Sequence, residues 1–60
     1  MEHGFLRYDI LLVKPDGSHN VLEAEATPHR CTIIKNRYNK TVRLGRNDGA
    51  TLRFRVSKVL

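Results

Sequence analysis

The chain has no tryptophan, one cysteine, two phenylalanines and two tyrosines among its 60 residues. A single cysteine excludes an internal disulfide, so a stapled secreted scaffold is ruled out and a reducing, cytoplasmic setting is expected. Long apolar runs are missing as well. The longest is the four residues from Ile10 to Val13, far short of the roughly 20 needed by a membrane-spanning helix. The start, Met1-Glu2-His3-Gly4, has no basic stretch ahead of an apolar core, so neither a signal peptide nor a membrane partner is expected. No segment reads as apolar residues at helical spacing sustained over three turns, and there is no internal repeat or linker. Negative charge is scarce in one half: beyond Ala26 the only acid is Asp48.

That last scarcity divides the chain. Residues 1–26 carry five acids against two bases, a balance of −3, while residues 27–60 carry nine bases against one acid, a balance of +8, together making the net +5. Such a split suits an anionic partner or head-to-tail self-association, or two halves that neutralise each other across a sheet. The length allows one domain, 1–60, which buries only about 60% of the surface its unfolded chain exposes.

Gly4 to Lys14 is rich in aromatic and branched residues and alternates in polarity as far as Ile10. Beyond Ile10 both phases are apolar, as in a strand that contributes to two layers or is covered on both sides. Pro15-Asp16-Gly17-Ser18 is turn chemistry, and Val21 to Ala26 then reads as a strand pairing antiparallel with the first. Thr27-Pro28-His29-Arg30 is expected to break that strand, Cys31 to Lys35 to form a short one, and Asn36 to Lys40 to form a basic loop. From Thr41 to Leu60 two alternating runs flank Gly-Arg-Asn-Asp-Gly, a hairpin signature with Val42, Leu44, Leu52, Phe54 and Val56 inward and Arg43, Arg53 and Arg55 outward. Lys58 and Val59 are out of phase with that pattern, which requires a twist, bulge or end near Ser57. The expected fold is therefore all-β: a small five-stranded antiparallel barrel or sandwich, SH3-like or OB-like, as a monomer or a dimer.

Seven bases fall within the 21 residues from Lys35 to Arg55. Arg37, Lys40, Arg43, Arg46, Arg53 and Arg55 are expected to contact the phosphates of DNA or RNA, because arginine releases counterions and binds phosphate bidentately. Tyr38 is placed to stack on an unpaired base. The competing expectation is a protein-interaction or assembly module that self-associates or binds an acidic protein surface, with Leu11, Val13, Val59 and Leu60 as apolar residues in need of cover. His29 and Cys31 could share a strand face, yet with His3 and His19 they show no metal-ligand spacing, so no metal is expected. No catalytic constellation and no cofactor motif are present, and the Gly-Arg-Asn-Asp-Gly turn lacks the strand-to-helix context of a phosphate-binding loop. The chain is not expected to be an enzyme.

Overall fold

A computed structural model describes residues 6–59. The elements run β1 (Leu6–Val13), β2 (His19–Ala26), α1 (Pro28–Arg43) and β3 (Thr51–Val59). They form one open three-stranded sheet in the order β2-β1-β3, with β1 antiparallel to both neighbours. Its central position explains the doubly apolar end of β1. Ile10 is fully buried on the helix side, and Leu11 is buried on the far side between its cross-strand neighbours Val21 and Arg53.

The β1–β2 turn forms where expected. The Gly17 N–H donates to the Lys14 carbonyl at 2.9 Å, and the Asp16 carboxylate accepts from both the N–H and the hydroxyl of Ser18. Against β3, β1 is in unbroken register from Tyr8 opposite Val56 to Val13 opposite Thr51. The register shift lies between Arg7 and Tyr8, where Ser57 is the extra residue. That bulge resolves the phase conflict of the sequence: it returns Val59 to the side of Leu52, Phe54 and Val56, and Lys58 to the arginine side.

The expected all-β five-stranded barrel or sandwich does not form; the sheet is open and one helix covers it. The expected strand Cys31–Lys35, the loop Asn36–Lys40 and the first strand of the Thr41–Leu60 hairpin are a single 16-residue helix. Thr27 and Pro28 start this helix rather than merely ending β2. The Thr27 hydroxyl accepts from the Arg30 N–H at 3.2 Å, and Pro28 occupies the first turn, where a missing N–H costs nothing. Cys31, Ile34, Tyr38 and Thr41, spaced i, i+3, i+7 and i+10, make the inner stripe. Leu44 and Gly45, expected in the hairpin, close the helix instead. Gly45 lies at φ 71°, its N–H donates to the Val42 carbonyl, and the Arg46 N–H donates to the Thr41 carbonyl, the paired bonds of a Schellman cap. Gly4, Phe5 and Leu60, which began and ended the expected strands, lie outside the described residues.

A short loop then returns the chain to the sheet. The Ala50 carbonyl accepts from the Tyr38 hydroxyl at 2.7 Å and from the Asn47 side-chain amide at 3.1 Å. Gly49 sits at φ 76°, where a Cβ would lie 3.1 Å from the Pro15 ring, so this loop and the β1–β2 turn meet closely.

Connectivity sets the path of the helix. It starts beside Ala26, at the Tyr8 end of β1, and ends before Thr51, at the Val13 end, so it runs diagonally from β2 toward β3. Ile10, Ala26 and Cys31 form the buried cluster beneath it, with Tyr8, Ile34 and Leu52 packed around them. With extents of 43 × 22 × 11 Å, the domain is two layers deep.

Candidate functional site

The helix has a one-sided charge. It contains Arg30, Lys35, Arg37, Lys40 and Arg43 and no acid. Arg30 is engaged within the fold, its Nε donating to the Glu23 carboxylate of β2 at 2.9 Å. Lys40 and Arg43 lie in the last turn, where positive charge complements the carbonyl end of the helix dipole. At 100° per residue, His29, Ile33, Asn36, Lys40 and Arg43 share the stripe opposite Cys31, Ile34 and Tyr38, with Asn39 beside them, and all but the half-buried Ile33 are exposed. Arg37 projects on the β2 flank, and Arg46 follows the cap. The fold thus gathers Arg37, Lys40, Arg43 and Arg46 at the C-terminal half of α1.

Arg53 and Arg55 are elsewhere. They lie on the sheet face turned away from the helix, since Leu52 and Phe54, which alternate with them, point toward it. That face is electrostatically mixed. Arg55 donates to the Asp9 carboxylate at 3.0 Å, Lys58 stands 3.6 Å from the Glu25 carboxylate, and Arg7 reaches the Glu25 carbonyl at 3.4 Å. Tyr38 is on the inner stripe, its hydroxyl committed to Ala50 and its ring lining a cleft with Arg37 and Arg46. This cleft, about 320 Å³, has an apolar floor of Leu12, Leu22, Ile34 and Leu52 and opens at the β2 corner that the diagonal helix leaves uncovered.

The Arg55 guanidinium, aided by the Glu25 N–H at 3.2 Å, holds the Asp9 carboxyl below the usual carboxylate range. A depressed folded-state pKa contributes stability that is present above the unfolded value of about 3.9 and is lost as pH falls through the folded value. Asp9→Asn should therefore lower the urea midpoint at pH 7 but lose that disadvantage progressively as the pH is taken below the unfolded value. A midpoint difference that persists undiminished in acid would show that the ion pair is not its source.

Burial pushes the Cys31 thiol up, and the Glu23 carboxylate adds to the effect. That is the opposite of the shift that activates a cysteine nucleophile. On a helix His29 and Cys31 are 200° apart rather than on one face, and among the described residues no three His, Cys, Asp or Glu side chains come together. Nor is any described helix long and apolar enough to cross a membrane.

Reading 36–40 as a loop and 41–44 as a strand hides the outer stripe, and with it His29, Asn36 and Asn39. The signal that finds them is the Thr27-Pro28 start followed by the spacing of Cys31, Ile34 and Tyr38. The chain matches no known protein family, and no characterised protein or solved structure is significantly similar to it. Its own geometry is the basis for a functional reading.

Proposed function

We propose that the chain is a small nucleic-acid-binding accessory protein whose contact surface is the outer stripe of α1 and the turn that follows it. The observation that carries this reading is the acid-free helix: every charged group from Pro28 to Arg46 is positive, and Lys, Arg, Asn, His and Thr side chains are exposed along it, with Val42 and Leu44 the exposed apolar residues at its C-terminal end. An α-helix with its side chains, about 10–12 Å across, fits the roughly 12 Å major groove of duplex DNA. Lysine and arginine there would hold phosphates or guanine edges, and asparagine the edge of adenine. The far sheet face is less suited to phosphate, because Asp9 and Glu25 lie among its bases. A reducing, cytoplasmic location fits this reading, since the one cysteine is free and buried.

Fluorescence anisotropy with a duplex oligonucleotide across a salt series tests the proposal. Binding should weaken linearly in log–log form, and Lys40→Ala with Arg43→Ala should reduce the slope by about 1.8, since each neutralised phosphate contributes about 0.9. Arg53→Ala should leave the slope unchanged. Absence of binding at low salt, or affinity independent of salt, overturns the reading.

A further inference from the structure

The two edges of the sheet are unequal. β2 is irregular beyond Val21: its register against β1 shifts between Tyr8 and Ile10 and again between Ile10 and Leu11, and Glu25 sits at φ 52°. Bulges of this kind blunt an edge against further pairing. β3 has no such protection from Thr51 to Val56. Those six residues keep unbroken register, contain neither proline nor glycine, and have no described strand on their outer side. An open edge of this length presents backbone donors and acceptors ready for another strand.

Its side chains form two distinct rows. On the helix side Phe54 is 39% exposed and Val56 54% exposed, and beyond the bulge Val59 is 67% exposed. These residues lie at the β3 corner that the diagonal helix leaves bare. A hollow of about 250 Å³ opens there, lined by Tyr8, Pro28, Cys31 and Phe54, with room for one apolar side chain. On the far side the row is Arg53 and Arg55, and β3 contains no acid.

The inner neighbour shows what these rows accept. β1 sets Tyr8, Ile10 and Leu12 opposite Val56, Phe54 and Leu52, Asp9 opposite Arg55 at 3.0 Å, and the apolar Leu11 opposite Arg53. A strand on the outer edge meets the same two rows from the other side. A second copy of β3 does not satisfy them. Symmetric antiparallel pairing centred on Phe54 places Arg53 against Arg55, and pairing centred on Arg55 places that residue against itself, and like charges directly opposite are destabilising.

We propose that the outer edge of β3 is a docking site for an extended peptide segment of another protein in which acidic and apolar residues alternate, added as a fourth strand. Backbone hydrogen bonds along Thr51–Val56 supply affinity. The apolar residues cover Phe54 and Val56, one of them entering the hollow beside Tyr8, and the acidic residues face Arg53 and Arg55.

The test is titration of the full chain, followed by amide NMR, with a capped peptide of about eight residues alternating valine and aspartate, a usual strand length. Expected are shifts and new hydrogen-exchange protection concentrated in Thr51–Val56. Arg53→Glu should weaken binding about tenfold, the scale of one charge pair removed, with the far-ultraviolet circular dichroism unchanged. A matched valine–lysine peptide should fail to bind. Equal binding of the lysine peptide, shifts confined to α1, or no response to the aspartate peptide at millimolar concentration would each overturn the proposal. So would protection of the β3 amides in the free chain that rises with its own concentration, which would identify a second copy as the occupant.

Discussion

Ile10→Ala is expected to remove a large share of the stability of the fold. Ile10 is 0% exposed, at the centre of the cluster with Ala26 and Cys31, against which Ile34 and Leu52 pack. Few other side chains share its work, because the buried apolar set among the described residues is Ile10, Leu11, Ala26, Cys31 and Ala50, two of which are alanines. Removing three carbons from a packed site costs about 2–5 kcal/mol in lost transfer energy and cavity formation. A chain of this length has a total stability of only about 3–9 kcal/mol at the usual 0.05–0.15 per residue, and an open two-layer domain belongs at the low end. At roughly 4–8 °C per kcal/mol, the melting temperature should fall by at least 8 °C, and the folded baseline should be lost in urea. Val56→Ala, on an exposed position of the same sheet face, should stay within about 1 kcal/mol of the parent. If the two variants unfold at the same urea concentration, the core is not where the burial places it.

The second large effect is expected from Asn36→Pro. In a polar loop proline would be tolerated. In the middle of α1 it removes an N–H bond and sets its ring against the carbonyl of Thr32, at a cost of about 3 kcal/mol or more. Because the inner stripe of the helix supplies Cys31, Ile34 and Tyr38 to the core, the loss should propagate to the sheet rather than remain a local kink. Asn36→Ala makes the matched comparison: asparagine is a weaker helix former than alanine by a few tenths of a kcal/mol, so this variant should be neutral or slightly stabilised. Circular dichroism melts of the pair decide the matter, since equal melting temperatures would mean that residue 36 is not helical. The pair also serves the functional reading, because Asn36→Ala keeps the fold while removing one side chain of the outer stripe.

Three of the five expected strands form, and these were the legible part of the fold. Leu6 to Val13 pairs with His19 to Ala26 across the Pro15–Ser18 turn because branched and aromatic residues alternate there, and turn residues stand between. The out-of-phase Lys58 and Val59 called for an end, a twist or a bulge near Ser57, and the register shift there is a bulge. The helix was hidden by its composition. Ile33 beside Ile34, and Val42 and Leu44 flanking Arg43, mimic strand alternation, while two asparagines, a tyrosine and two threonines dilute the helical stripe. Propensity is weak in such a segment, and what settles it is the cap. The Thr27 hydroxyl and Pro28 organise one end and the Gly45–Arg46 bonds the other, and the sheet then buries Cys31, Ile34 and Tyr38 together.

The candidate site divides the same way. By itself the sequence determined the composition of the basic half, the lack of acid in it, and the alternation of Arg53 and Arg55 with apolar partners, because charge counts and period-2 patterns are local properties. Only the tertiary structure decided which bases stand together. Winding residues 28–43 into a helix turned Lys40 and Arg43 outward at one end and drew Tyr38 inward to Ala50, while pairing β3 with β1 carried Arg53 and Arg55 to the opposite face beside Asp9. Neighbourhood in the chain could not supply that separation, because it depends on a single hydrophobic face having to be buried between two layers.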